Sequence, residues 1–209
     1  MSSYFITGTD TGVGKTRFSC LLVEALRAEG IPAAGFKPVC CGERDDAVLL
    51  AAASGGLAVD EVNPLWLKAS VAPLVAGMLE NRPADPAYLL EAYRRFAAMH
   101  STVIVEGAGG WRVPLAEGYD MADLAVDIGL PVIVVVGNRL GALNHTILTV
   151  DSIRVRGLQI AGLVINHLVD ELDTAAITNK GIIEQLTGLP ILAEIIHGQD
   201  FLEVEPFLA

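Results

Sequence analysis

The chain has 209 residues, of which 52% are hydrophobic and 19% charged, with a formal net charge of -11 at pH 7. That is ample apolar material for a single core, and the acidic balance argues against nucleic acid or an anionic membrane as a partner, since both require a basic surface. Three cysteines, two of them the adjacent Cys40 and Cys41, give no disulfide framework, and the longest apolar runs, such as Leu130 to Val136, fall far short of the roughly 18–20 residues of a membrane span.

In chain order, Tyr4 to Thr7 is a short apolar strand ending in Gly8, and Thr16 to Ala28 follows with helical spacing until Gly30 stops it. Ala33 to Val39 reads as a second strand and Asp45 to Ala53 as a short alanine-rich helix. Pro86 to Met99 is a longer helix with proline in its first turn. Thr102 to Val105 is a buried strand running into Glu106, Met121 to Ile128 a helix, and Pro131 to Val136 a further strand. Leu143 to Arg156 reads as a helix, Ile160 to Ile165 as a strand, Glu171 to Leu186 as a helix and Pro190 to Ile195 as the last strand. Continuous apolar strands alternating with helices predict a mostly parallel central sheet with helices on both faces, an α/β fold, and the glycine-rich Gly8 to Lys15 and Thr16 between the first strand and first helix makes it one of the P-loop NTPase type. No repeat or linker divides the chain, so residues 1–209 are expected to form a single domain. The start of the chain does not resemble a secretory leader, which together with the cysteine usage predicts a reducing, cytoplasmic location.

The strongest motif is Gly8-Thr9-Asp10-Thr11-Gly12-Val13-Gly14-Lys15-Thr16. Glycines let successive backbone N–H groups curl around an anion, and the following helix adds its positive end. Lys15 is expected to reach the β/γ-phosphates of ATP and the Thr16 hydroxyl to ligate Mg²⁺. From Gly8 to Gly14 the spacing is one residue longer than the usual phosphate-loop pattern.

Three further segments stand at strand ends, where ligands of parallel sheets bind: Phe36-Lys37-Pro38-Val39, Glu106-Gly107-Ala108-Gly109-Gly110-Trp111, and Val136-Gly137-Asn138-Arg139-Leu140-Gly141-Ala142-Leu143-Asn144-His145. With the extended phosphate loop, and in this order, they resemble the dethiobiotin synthetase family over essentially the whole chain. Each piece alone is shared with related P-loop amidoligases and partitioning ATPases; a regulatory ATPase, a synthetase acting on another small acid, and a non-catalytic nucleotide-binding module are the rival readings. Partitioning ATPases usually carry a second lysine early in the loop, where this chain has Thr9, Asp10 and Thr11.

The resemblance implies an ATP-dependent ring closure: 7,8-diaminononanoate captures CO2 as a carbamate, ATP phosphorylates it, and the second amine displaces phosphate. It implies that Lys37 and Lys15 are the catalytic cations. It also implies that Asp10, Thr11, Gly12, Val13, Gly14, Lys15 and Thr16 contact ATP, along with Asp46, Glu106, Gly107, Ala108, Gly109 and Asn166, the last at the adenine edge. Thr16, Asp46 and Glu106 are the implied Mg²⁺ ligands. An acid directly after an apolar strand, such as Glu106, is costly without a partner. Asp46 is preferred to its neighbour Asp45 because the Ala47-Val48-Leu49 that follows it matches the family pattern, an ordinary helix cap being the alternative. Thr11, Lys37 and Cys41 are the implied substrate contacts. Gly141, Ala142, Leu143 and Asn144 would grip the substrate carboxylate from the neighbouring subunit of a homodimer. The chain departs from the family at Cys41, often serine, at Gly12, acidic in some relatives, and at Ile195-Ile196-His197-Gly198, where some have Pro-Trp-Leu. His197 is read as a loop residue and not a catalyst, and His145 and His167, with no carboxylate or cysteine at metal-ligand spacing, are not read as a zinc site.

Overall fold

A computed structural model describes residues 3–171 and 173–208. Its centre is a six-stranded, wholly parallel sheet formed by β1 (Tyr4–Gly8), β2 (Ala33–Phe36), β5 (Thr102–Glu106), β8 (Val132–Asn138), β9 (Ile160–His167) and β10 (Ile191–Ile195). The strand order is β10-β9-β8-β1-β5-β2, so β1, with the glycine loop at its carboxyl end, lies inside the sheet between β8 and β5. Apolar side chains point alternately to the two faces, as the period of two requires. Tyr4, Ile6, Ile104, Ile133 and Val135 pack with Phe18, Leu22 and Leu26 of α1 (Lys15–Ala28). Phe5, Val103, Val105, Val132 and Val134 face α5 (Pro86–Met99), α6 (Met121–Ile128) and α7 (Ala142–Val155) through Leu89, Phe96, Leu124 and Ile153. α8 (Thr174–Thr187) leads into β10.

Five of the helix starts are of two chemical kinds. Asp85, Asp120 and Asp173 cap α5, α6 and α8 by accepting the backbone N–H of Ala87, Asp123 and Ala176. α1 and α7 begin instead at the left-handed glycines Gly14 and Gly141, with no side-chain cap, so their first-turn N–H groups, apart from that of Ala142, which donates to the Arg139 carbonyl, remain available to an anion.

The expected strand 33–39 is in fact two. β2 ends at Phe36, because Pro38 cannot donate to a ladder, and the chain leaves the sheet at Lys37. Val39–Cys41 forms β3, which pairs in parallel with β4 (Leu65–Leu67) in a separate ribbon. The segment between α2 (Asp45–Ala53) and α5, left without elements by the sequence reading, holds α3 (Val59–Val62), β4 and α4 (Pro73–Leu79). A hairpin of β6 (Pro114–Ala116) and β7 (Tyr119–Asp120) precedes α6. The helix expected from Glu171 starts at Thr174, after its Asp173 cap; Leu172 of that expectation lies outside the described residues.

Helix α2 carries Asp46, and its distance from the sheet is set by Gly35 of β2, over which the buried Leu50 rests. A Cβ at Gly35 would stand 2.6 Å from Leu50 Cδ2. Gly35→Ala is therefore expected to destabilise the protein by about 1–3 kcal/mol, read as a lowered urea midpoint with an unchanged m value. A midpoint equal to that of the parent chain would mean that α2 does not rest on this glycine.

Candidate active site

Four side chains from four separate elements meet at the carboxyl ends of β1, β2 and β5. Thr16 lies in the first turn of α1, Lys37 just past β2, Asp46 in the first turn of α2, and Glu106 at the last position of β5. The Thr16 hydroxyl stands 2.8 Å from both Asp46 Oδ1 and Glu106 Oε1. A hydroxyl has one proton and can donate to only one of them, so three oxygens converge with one hydrogen among them. Lys37 Nζ donates to Glu106 Oε1 at 2.5 Å and to Asp46 Oδ2 at 2.8 Å. Lys37 and Glu106 are almost fully buried, and Glu106 Oε2 has no hydrogen-bond partner among the described residues. A buried carboxylate oxygen left bare is costly, and it points to a cation or donor that completes the cluster. Among the described residues no three His, Cys, Asp or Glu side chains gather as a metal site. A cation here would rest on two carboxylates and a hydroxyl, completing its shell with water and ligand oxygens. That donor set fits Mg²⁺.

The charges are strongly interdependent. Burial works against the Lys37 ammonium, but Glu106 and Asp46 outweigh it and hold the group above the ordinary lysine range. Burial likewise opposes the Asp46 carboxylate, and Lys37 more than compensates, keeping it below the usual range. Lys15 has no such pair. Burial and the neighbouring Lys37 charge lower it to about 8, and its ammonium donates to the Asp10 carbonyl at 3.0 Å, folded back against its own loop. A positive charge held so weakly is poised to take an anionic partner.

Beside this cluster opens a cleft of about 410 Å³. Thr11, Lys37, Cys41, Asp46, Ala108 and Gly109, six of the residues assigned by sequence, line it. Cys40 lines it too, as do Ser70 to Pro73, a stretch that sequence reading missed. Burial raises both thiols, Cys40 to about 11 and Cys41 to about 11, so neither is a thiolate nucleophile near neutrality. Gly141, Ala142, Leu143 and Asn144 start α7 and are not among the residues lining this cleft. Gly107 bonds back to β1, its N–H donating to the Ile6 carbonyl.

Asn166 stands at the end of β9, and its Nδ2 donates to the Val13 carbonyl at 2.9 Å, which ties the phosphate loop to the far half of the sheet. It borders a second cleft of about 330 Å³ with Arg17, His167, Ile196 and His197. Behind it a network unseen in the sequence is fixed by its hydrogen bonds. Asn138 Oδ1 accepts from Asn179, so Asn138 Nδ2 faces His167 Nδ1, and the histidine proton sits on Nε2, 2.7 Å from Glu194. His167 is thus a brace between β8, β9 and β10. The single available signal was its place beside Asn166 at a strand end.

A family model described as an AAA domain matches residues 2–200. An ATP-dependent dethiobiotin synthetase of Akkermansia muciniphila is 49% identical over 209 residues, covering 100% of this chain and 98% of that protein. One of Anaeromyxobacter dehalogenans is 46% identical over 198 residues, covering 92% of this chain and 89% of its own length. Among solved structures, the cell division ATPase MinD of Pyrococcus furiosus aligns with a TM-score of 0.61 over 94% of this chain and 84% of its own, at 18% identity, a likeness of fold alone. The chain belongs to the AAA-domain family that this model describes and, within it, to the ATP-dependent dethiobiotin synthetase family; it is an ATP-dependent ligase.

Gly14 carries two constraints at once. Its φ of +91° favours glycine, and a Cβ there would stand 2.0 Å from Asn166 Nδ2. Gly14→Ala is expected to weaken binding of a non-hydrolysable ATP analogue at least ~10-fold, because loop and Asn166 must separate by a distance that positioning does not tolerate. Gly56→Ala is the control: φ is +82° there with nothing within 4 Å, so it should cost only backbone strain and leave affinity unchanged. Equal affinities for both variants would contradict the role of the Asn166 contact.

Proposed function

We propose that this ligase closes the ureido ring of dethiobiotin from 7,8-diaminononanoate, CO2 and ATP within one 209-residue domain, with Mg²⁺ as its cofactor. The observation that carries the assignment of residues is the meeting of Thr16, Lys37, Asp46 and Glu106 at the mouth of the cleft. One amine of the substrate adds to CO2 and loses a proton to give a carbamate. A carbamate oxygen then attacks the γ-phosphorus of ATP, ADP departs, and a carbamic-phosphoric anhydride remains. The second amine attacks its carbonyl carbon and expels phosphate, closing the ring. Every anion in this sequence is oxygen-centred, and the chemistry asks for positioned positive charge more than for acid–base groups.

Thr16, Asp46 and Glu106 are the residues that would hold Mg²⁺, whose charge, when bound, offsets that of the phosphate oxygens. Glu106 Oε2, bare and buried, supports that assignment. Lys37, whose ammonium faces both carboxylates at the mouth of the cleft, would serve the carbamate and γ-phosphate oxygens. Lys15 leaves the Asp10 carbonyl for the β/γ-phosphates, joined by the N–H groups of Gly12, Val13, Gly14 and Thr16 at the uncapped start of α1. Asp10, Thr11 and the Gly107, Ala108 and Gly109 turn wall the phosphates, and Asn166 holds the adenine edge. Thr11 and Cys41 meet the diamine chain in the cleft.

The second half of the site comes from a neighbouring subunit. The helix start formed by Gly141, Ala142, Leu143 and Asn144 is suited to the substrate carboxylate through the N–H groups of Gly141, Leu143 and Asn144, the Ala142 N–H donating to the Arg139 carbonyl, and it stands apart from the cleft of its own chain. We therefore assign a homodimer acting in the cytoplasm. Among the described residues no helix is long and apolar enough to cross a membrane.

With labelled bicarbonate, ATP, Mg²⁺ and diamine together, carbon is expected in an acid-stable product with one phosphate released per ring. ATP hydrolysis indifferent to the diamine, without labelled product, would contradict the reaction. Lys37→Ala is expected to lower kcat by on the order of 10² or more while ATP affinity changes little, since its charge acts where negative charge develops. Near-normal turnover would remove Lys37 from the reaction. For the dimer, Lys15→Ala and Asn144→Asp chains are each expected to be inactive, and their random mixture to recover about a quarter of parental activity. Half the dimers are then mixed and each carries one intact site. Recovery no greater than the sum of the two variants alone would place each site within one chain.

A further inference from the structure

Lys37 leaves the main sheet where Pro38 ends β2, so strand pairing does not fix its backbone. The segment at residues 62–63 does so instead. The Val62 carbonyl accepts the Lys37 N–H at 2.8 Å, and Asn63 Nδ2 donates to the Lys37 carbonyl at 2.8 Å. The same amide donates to the Leu65 carbonyl at 3.0 Å, and Asn63 is 1% exposed. Its acceptors are taken by one residue: Arg44 Nε donates to Asn63 Oδ1 at 2.9 Å and Arg44 Nη2 to the Asn63 carbonyl at 2.7 Å.

Arg44 is also the residue from which α2 starts. Its carbonyl accepts the N–H groups of Ala47 at 3.0 Å and Val48 at 3.1 Å, closing the turn that presents Asp46. The guanidinium is fixed in turn by Asp60 at 2.7 Å and lies over Trp66, 5.5 Å from the ring centroid. One amide and one planar fork thus join the backbone of Lys37 to the start of the helix that carries Asp46. Neither Asn63 nor Arg44 is among the residues lining the cleft.

We propose that Asn63 and Arg44 are positioning residues for the ligase reaction, setting the spacing between the Lys37 ammonium and the Asp46 carboxylate without touching substrate. The inference rests on the roles assigned to Lys37 and Asp46 above. The two side chains have matched demands. Asn63 must both donate to a carbonyl and accept from a cation, which aspartate cannot do, and Arg44 must bond two acceptors at a fixed angle, which lysine cannot do. A buried, fully satisfied polar unit of this kind specifies one arrangement. Displacement of reacting groups by about 1 Å can cost on the order of 10² in rate.

The test compares Asn63→Ser and Arg44→Lys with the parent chain, each normalised to folded protein by circular dichroism. Both are expected to lower kcat at least ~10-fold while the Kd for a non-hydrolysable ATP analogue with Mg²⁺ stays within about 3-fold. In the Lys37→Ala background, read as labelled product accumulated over hours, Asn63→Ser should add little further loss, because it acts through Lys37. Unchanged kcat in the folded variants, or a full ~10-fold loss repeated in the Lys37→Ala background, would overturn the proposal. Near-parental turnover in Lys37→Ala alone would overturn the Lys37 assignment itself, a separate and recognisable failure. Should Asn63→Ser not fold, Arg44→Lys, whose side chain is partly exposed, carries both comparisons.

Discussion

The ion pair between Lys37 and Glu106 is the interaction on which the rest of the site depends. Both side chains are out of water, and their separation of 2.5 Å leaves no room for a third group between them. A buried pair of this kind contributes little net stability, yet removing one partner costs about 3–5 kcal/mol because the other charge is stranded. The fold therefore holds a lysine charged in its interior only while carboxylates face it. Asp46 is the second such carboxylate, half-exposed at the rim of the cleft. One ammonium facing two carboxylates leaves one negative charge uncompensated, and that favours the entry of further positive charge.

That reading links the sheet to the chemistry. β5 delivers Glu106 at its last residue, β1 delivers the glycine loop, and β2 stops one residue short of Lys37 because Pro38 cannot continue the ladder. The parallel order places these three ends side by side. α1 starts at a left-handed glycine with no competing side chain, so its N–H groups and Lys15 face the same space. A chain of net charge -11 thereby gathers backbone dipoles and two lysines at one end of its sheet.

Much of this was legible in the sequence, and the reasons are specific. The buried strands are continuous apolar runs, and the helices α2, α5 and α6 have the bounds their spacing predicts. Lys15, Thr16, Lys37 and Glu106 stand out because polar residues follow apolar strands or glycines. Asp46 is preferred to Asp45 in the sequence on the family pattern of the residues after it, and among the described residues it is Asp46 of the two that is bonded to Lys37 and Thr16. The residues from Ser54 to Asp85 were opaque. Their elements are short, and β3 and β4 pair with each other and not with the main sheet, a long-range choice without local signature. Asn63 before Pro64 reads as an ordinary turn until Arg44 is seen to close on it. His167 gave the same difficulty, its partner Glu194 lying on another strand.

The central claim is that Lys37 exchanges carboxylate for phosphoryl and carbamate oxygens when the ligands arrive. A crystal structure with Mg²⁺, a non-hydrolysable ATP analogue and the diamine tests it most directly. The account predicts that Lys37 Nζ, now 2.5 Å from Glu106 Oε1, moves within hydrogen-bond distance of the γ-phosphate, and that Glu106 Oε2 gains a partner. A liganded structure in which Lys37 still bonds Glu106 and Asp46, with no contact to the nucleotide or the diamine, would contradict it.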